Sequence, residues 1–151
     1  MGGLRRSSYT SRLDISWLIV GLGNPGPQYE DSPHNVGFAV IDRLAERYRA
    51  SMIGKFDGLY GTCSIADADV ALLKPLTYMN LSGESVRLLV KRHGISSPAQ
   101  VIVVHDELDL PVGRVKCKVG GGSAGNNGIK SVQAHLGSPD FARVRLGIGR
   151  P

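Results

Sequence analysis

The chain has 151 residues, of which 42% are hydrophobic and 21% are charged, a composition typical of one folded domain and unlike that of a disordered chain. Its apolar runs are far shorter than the ~20 residues that a membrane-spanning helix requires, so we expect no membrane partner. Two cysteines outside any CxxC motif exclude a cysteine-rich metal cage and favour a reducing compartment such as the cytoplasm.

The formal net charge of +5 is unevenly distributed along the chain. Residues 111–151 contain seven basic side chains and one acidic one, whereas the first 110 residues contain 11 basic and 12 acidic ones. A field of this kind attracts polyanions, among which nucleic acid is the commonest. A solvated basic face that binds nothing would have the same charges, so charge alone leaves both interpretations open.

The amino-terminal region differs in composition from the rest of the chain. It is rich in serine and arginine and has no acidic residue before Asp14. We expect residues 1–15 to form a disordered extension, with a weak organelle-targeting arm as the alternative. The folded domain is then expected to span residues 16–151.

Apolar periodicity and turn residues define the predicted elements in chain order. Strands are predicted over residues 17–22, 59–65, 70–73, 101–104, 114–119 and 142–148. Helices are predicted over residues 32–50, from a cap at Asn80 or Ser82 to Gly94, and over residues 127–136. Helices that alternate with strands, two of them continuously apolar, predict a single α/β domain. We expect a mixed, twisted sheet with helices on both faces, in three α/β/α layers.

Two glycine motifs match known sites without their context. GLGNPG at 21–26 fits G-x-G-x-x-G, but Pro25 and Pro27 stand where a dinucleotide site needs a helix to begin, so we expect no such cofactor. GGSAG at 121–125 fits the G-x-S-x-G nucleophile elbow around Ser123. That elbow needs an acid and then a histidine downstream, and no histidine follows Asp140. A serine esterase therefore remains only an alternative.

A third group of polar residues lies at predicted strand ends and helix starts. Asn24 follows the first buried strand, Asp106 follows the second, and His34 opens the first helix. Because the carboxyl ends of parallel strands meet at one edge of a sheet, we expect these side chains to be close. A neutral imidazole can take a proton from water, a carboxylate can fix its tautomer, and amides can stabilise an oxyanion. The group predicts ester or amide hydrolysis by water with no metal and no cofactor, although each residue could instead be a structural cap or turn residue.

Five motifs in order carry a family resemblance. They are GLGNPG at 21–26, HNVGF at 34–38, KPLTYMNLSG at 74–83, HDELDLP at 105–111 and RLGIGRP at 145–151. Over residues 18–151 the chain resembles the bacterial-type peptidyl-tRNA hydrolases. That family has a single α/β domain and cleaves the ester between a peptide and the 3′ end of tRNA. Membership implies a metal-free hydrolase that recycles tRNA as a cytoplasmic monomer and contacts the acceptor stem and 3′ end.

The resemblance also assigns site residues. His34 resembles the catalytic base, and Asp106 resembles its partner. The substrate-binding positions are Asn24, Tyr29, Met79, Asn80 and Asn127. Lys118 and Arg145 resemble the clamp for the tRNA 5′ phosphate.

The chain departs from the family pattern at several points. Pro33 stands where the family usually has arginine, Asn126 where it usually has histidine, and Ser123-Ala124 is atypical of the glycine loop. Family members also continue for some tens of residues past the position of Pro151, so the resemblance implies a C-terminally shortened domain. A catalytically impaired RNA-binding protein of the same fold is the alternative.

Overall fold

The computed structural model describes residues 14–150. Residues 1–13 of the predicted extension lie outside the described residues, while Ile15, at its end, is buried in the core. Within the described residues, seven strands and three α-helices form the main regular structure, with short 3-10 turns between them. The strands are β1 (Trp17–Gly21), β2 (Ile53–Lys55), β3 (Gly58–Ile65), β4 (Ala68–Pro75), β5 (Val101–Glu107), β6 (Val115–Val119) and β7 (Ala142–Gly147). The helices are α1 (Val36–Arg47), α2 (Ser82–His93) and α3 (Asn127–Leu136).

The seven strands form one mixed sheet in the order β2-β3-β4-β1-β5-β7-β6. β1 runs parallel to β4 and β5, and β5 runs parallel to β7. The outer strands join through the antiparallel pairs β2–β3, β3–β4 and β6–β7. β1 and β5, which the sequence identifies as continuously apolar, lie in the middle, as strands covered on both faces should. The predicted mixed sheet is confirmed.

Helices cover both faces of this sheet, which confirms the predicted three layers. Val86 and Leu89 of α2, with Ile129 of α3, pack on the face of the sheet that carries Leu18 and Val20. Ile41 and Ala45 of α1 pack on the other face, against Val70 and Leu72. Burying large aliphatic side chains in this way contributes roughly 1.5–3 kcal/mol for each of them, which makes these two clusters the main source of stability.

The prediction that residues 114–119 form a strand is correct, as β6 shows, but the expectation that the apolar side of this strand is buried is wrong. The face that carries α1 extends across the sheet through the register partners Leu72, Ile19, Ile102, Ala142 and Val119. On this face Val115 and Val119 of β6 remain 55% and 76% exposed. The helix that covers this face within residues 14–150, α1, packs on β1, β4 and β5 instead.

Two predicted helix starts are corrected by the structure. The first helix, expected over residues 32–50, begins as a 3-10 turn (Pro33–Asn35) that the Ser32 side chain caps by accepting from the His34 amide, and α1 follows. In the second helix neither Asn80 nor Ser82 is the cap, because Leu81 holds that position. Asn80 lies in a preceding 3-10 turn, and the Ser82 hydroxyl donates to the Met79 carbonyl. Proline at 33 fixes φ and suits a tight first turn, which explains the delayed start of α1.

Candidate active site

A cleft of about 430 Å³ opens at the carboxyl ends of β1 and β5. Most of the predicted site residues line it, drawn from seven separate parts of the chain. These residues are Asn24, His34, Met79, Asp106, Lys118, Asn127 and Arg145. The strand-end rule therefore predicted the position of the cleft and the presence of Asn24 and Asp106 in it, whereas Met79, Lys118, Asn127 and Arg145 were expected from the family resemblance.

His34 and Asp106 form the central contact of the cleft. His34 Nδ1 lies 2.7 Å from Asp106 Oδ2, across 72 positions of sequence. The His34 side chain is 53% exposed, whereas that of Asp106 is 12% exposed. Because Nδ1 is engaged by the carboxylate, Nε2 is the ring nitrogen that can accept a proton from the cleft.

Close packing of α1 on the sheet brings this pair together. A Cβ on Gly37 would lie 2.5 Å from the Leu22 carbonyl oxygen and 2.6 Å from that of Val104. Real Cβ atoms do not approach so closely, so glycine is required at position 37. The first turn of α1 therefore lies directly against the ends of β1 and β5. His34, three residues earlier, consequently meets Asp106 on β5.

Three hydrogen bonds hold Asn24 within the loop after β1. Its side-chain Oδ1 accepts from the Met79 amide at 3.1 Å. The buried Asn35 side chain bonds both main-chain groups of Asn24, accepting from its N–H at 2.8 Å and donating to its carbonyl at 2.9 Å. With Oδ1 occupied, the Asn24 NH₂ group remains as a donor for a substrate. Asn35 was not predicted as a site residue, because an amide beside His34 has no distinguishing pattern until its burial is known.

Two predicted substrate residues lie outside the lining of the cleft. Tyr29 ends the 3-10 turn Pro27–Tyr29, and its carbonyl accepts from the Ser32 amide. Asn80 is exposed in its own 3-10 turn next to Met79. Their substrate-binding roles remain predictions.

His105 is a cleft residue that sequence reasoning missed. Its ring is 5% exposed, and its Nδ1 donates to the Asp106 carbonyl at 2.8 Å. Burial lowers the pKa of His105 below its ordinary value, opposed by Asp106 and Glu107. A neutral imidazole therefore lies directly behind Asp106. The alternation of β5 could have indicated it, because it turns His105 and Asp106 to opposite faces.

The basic end of the cleft lies on β6 and β7. The register places Lys118 opposite Arg143 and Lys116 opposite Arg145, so all four cations share one face of the sheet. Lys118 and Arg145 are partly exposed, and Arg145 Nη1 approaches Glu107 Oε1 at 3.9 Å. Arg143 is 2% exposed and therefore differs from its neighbours.

The serine-esterase alternative finds no matching geometry. Ser123 lines the cleft, but within residues 14–150 no histidine hydrogen-bonds its hydroxyl. In that same stretch no group of three or more His, Cys, Asp or Glu side chains is placed to hold a metal ion. None of the helices that the structure describes is long and apolar enough to span a bilayer.

Comparisons with known proteins point to one family. A family model described as peptidyl-tRNA hydrolase matches residues 18–151. A relative named peptidyl-tRNA hydrolase in Geobacillus kaustophilus is 55% identical over 135 residues, covering 89% of this chain and 72% of the relative. A Neisseria meningitidis protein of the same name is 50% identical over 136 residues, covering 89% and 70%. The crystal structure of a peptidyl-tRNA hydrolase from Acinetobacter baumannii superposes with a TM-score of 0.85 at 42% identity, covering 91% of this chain and 71% of that one.

Proposed function

This chain belongs to the peptidyl-tRNA hydrolase family, and we propose that its reaction is carried out by water that His34 activates. The activity is that of the family, namely hydrolysis of the ester bond that joins a peptide to the 3′ end of tRNA, which returns the tRNA for reuse. The observation that supports the assignment of the base is the 2.7 Å contact between His34 Nδ1 and Asp106 Oδ2.

The proposed reaction begins with a water molecule in the cleft. Its oxygen attacks the ester carbonyl carbon while His34 Nε2 takes one of its protons, which forms a tetrahedral oxyanion. Asp106 accepts the Nδ1–H hydrogen bond, holds the ring in this tautomer and stabilises the imidazolium. The carbon–oxygen bond to the ribose then breaks, and the imidazolium returns its proton to the departing oxygen. The products are a free 3′ hydroxyl group and a peptide carboxylic acid, which releases its proton to solvent to become a carboxylate.

Amide donors in the cleft are proposed to stabilise the oxyanion and to hold the peptide. The Asn24 NH₂ group is the better placed candidate, because its Oδ1 is fixed on the Met79 amide. Asn127 lines the cleft from the first turn of α3. Donors that are held in place before the reaction need no reorganisation during it, which is the usual source of their effect.

Lys118 and Arg145 are proposed to bind the 5′ phosphate of the tRNA acceptor stem. They lie on one face of the sheet, line the same cleft as His34 and are both partly exposed. Such contacts add affinity that falls with salt and carry little base specificity. The family resemblance supports action as a monomer, and the family role in translation supports a cytoplasmic location. The intact His34–Asp106 pair gives no support to a non-catalytic RNA-binding protein.

Deacylation of N-acetyl-aminoacyl-tRNA tests the assignment of His34. We expect His34→Gln to lower kcat by about 10²–10⁴, the usual contribution of a general base. The control is His135→Gln, which removes a histidine that lies on α3, outside the cleft lining. An unchanged kcat in the folded His34 variant would rule out this residue as the base.

A further inference from the structure

The two arginines of β7 share a face of the sheet and have different surroundings. Arg145 keeps 27% of its side chain exposed, whereas Arg143 is 2% exposed and is the largest fully buried side chain of the described residues. The Arg143 guanidinium lies over the Phe141 ring, 4.4 Å from its centroid. Within residues 14–150 no carboxylate lies within ion-pair distance of it.

Main-chain carbonyls take the place of a carboxylate around this cation. Arg143 Nη1 donates to the Gly122 carbonyl at 2.6 Å, and Nη2 donates to the carbonyls of Gly121 at 3.2 Å and Pro139 at 2.9 Å. A buried charge is costly unless hydrogen bonds compensate it. Burial lowers the pKa of Arg143, yet an arginine stays charged at any physiological pH. The guanidinium therefore joins two separate segments of main chain to the sheet.

One of these segments is the glycine loop, defined here as residues 120–125. Four of its residues line the cleft, and it leads directly into Asn126 and Asn127. At its tip Ala124 and Gly125 adopt φ of 50° and 80°, and the Asn126 amide donates to the Ser123 carbonyl. A loop with four glycines has many accessible conformations, so its position depends on ties to the rest of the fold.

The side-chain hydrogen bonds to the base of the glycine loop come mainly from Arg143. The Gln133 amide also donates to the Gly121 carbonyl, at 2.9 Å. At the far end the Asn126 side chain caps α3 by accepting from the Ile129 amide. Between these two anchors the loop sets where Asn127 enters the cleft.

We propose that Arg143 is a positioning residue that fixes the glycine loop, and through it Asn127, rather than a ligand of tRNA phosphate. Its three hydrogen bonds to carbonyls occupy both terminal nitrogens of the guanidinium. Lys118 and Arg145 keep exposed cationic groups on the same face for the phosphate. The effect on turnover rests on the proposed function, whereas the effect on the loop does not.

Substitution by lysine tests the role of the planar guanidinium. Arg143→Lys keeps the charge but cannot reproduce three donors in one plane. We expect kcat for N-acetyl-aminoacyl-tRNA to fall by about tenfold to a hundredfold, since a misplacement of about 1 Å can cost that much. We expect Arg143→Met, if it folds, to lose at least as much kcat. If it does not fold, the kcat of Arg143→Lys alone tests the proposal.

The salt dependence of KM separates positioning from phosphate binding. Arg145→Met should raise KM and flatten the plot of log KM against log salt by about 0.7–0.9 for each phosphate that is no longer neutralised. Arg143→Lys and Arg143→Met should leave that slope as in the wild type. Lys130→Met, which removes an exposed charge outside the cleft lining, is the control for net charge. An unchanged kcat in Arg143→Lys, or a slope flattened by one phosphate in Arg143→Met, would overturn the proposal.

Amide hydrogen exchange measures the protection of the glycine loop directly and does not require the protein to be catalytically active. Residues 120–127 should lose protection in Arg143→Lys relative to the wild type, while the amides of β1 and β5 keep theirs. Unchanged protection of the loop would overturn the proposal even if the enzyme were active. An inactive wild type would count against the proposed function alone, because the exchange result would still decide the role of Arg143.

Discussion

The two ends of the cleft are held together in different ways. At the hydrolytic end, side chains from distant parts of the chain meet directly, as His34 and Asp106 do at 2.7 Å. At the basic end, a buried side chain binds main-chain carbonyls, as Arg143 does with Gly121 and Gly122. A change of His34 or Asp106 can therefore alter chemistry without moving the backbone, whereas a change of Arg143 should move the backbone of the glycine loop that its guanidinium holds.

Gly37→Ala would break the hydrolytic end by moving its backbone, and it has the largest expected effect on stability. The new Cβ would lie 2.5 Å from the Leu22 carbonyl oxygen, so α1 must shift away from the sheet. We expect a loss of about 1–3 kcal/mol in the free energy of unfolding, the usual cost of overpacking. Turnover should fall as well, because His34 moves relative to Asp106. Urea unfolding and deacylation kinetics measure the two effects, and a variant as stable and active as the wild type would contradict this account of the pair.

Lys118→Met sharpens the comparison at the basic end. Removing one charged group that we propose to bind phosphate should raise KM by about tenfold, equivalent to ~1.4 kcal/mol. The salt dependence of KM should weaken by the equivalent of about one neutralised phosphate. Steady-state kinetics at several salt concentrations measure both quantities. A fall in kcat with no change in KM would place Lys118 with the reaction chemistry instead.

Ala124→Gly acts on the loop that joins the two ends. Ala124 has φ of 50°, a left-handed conformation that costs a non-glycine residue about 1–2 kcal/mol. Glycine relieves this strain but has more freedom in the unfolded chain, so we expect a net gain of up to about 1 kcal/mol. The matched control is Ala66→Gly in the β3–β4 turn, where φ is 49° and the cleft is not involved. Thermal unfolding should show a similar gain for both variants, and a loss in both would show that the turns are not strained.

His105→Asn has the smallest expected effect, and it appears only in the pH dependence of stability. Burial lowers the pKa of His105 in the folded state, beside Asp106, Glu107 and Arg143, so the unfolded chain binds a proton more readily. Stability should therefore fall in the wild type as pH drops below about 6.5, the ordinary value for histidine. Asparagine can still donate to the Asp106 carbonyl but does not titrate. Urea unfolding between about pH 7.5 and 5 should show a shallower decline in the variant, and equal declines would contradict the assignment.

The sequence predicted those parts of the molecule that depend on local pattern and on strand ends. β1 was predicted as a buried strand, β5 begins with the predicted apolar run 101–104 but continues through Asp106 to Glu107, and α3 begins and ends at the expected residues. The strand-end rule brought Asn24 and Asp106 to one edge. β2 was missed because its three residues are all exposed and have no alternation. Its hairpin turns at Phe56 and Asp57, whose φ values of 58° and 54° are unusual outside glycine.

The basic end shows what pattern cannot supply. The alternation of side chains along a strand correctly predicts that Arg143 and Arg145 share one face of β7, but it does not predict how deeply each is buried. Which arginine is buried depends on the glycine loop and the turn at Pro139, and both reach Arg143 only through the tertiary fold. The same holds for β6, where alternation predicted a buried side that the packing of α1 leaves exposed.

A double-mutant cycle on kcat tests the central claim, that His34 and Asp106 act as one unit. Steady-state deacylation at saturating N-acetyl-aminoacyl-tRNA would be measured for His34→Gln, Asp106→Asn and the double variant. Residues that work as a unit are strongly non-additive, so the double variant should be no slower than about the slower single variant. Losses that multiply in the double variant would contradict the account, because each residue would then contribute independently.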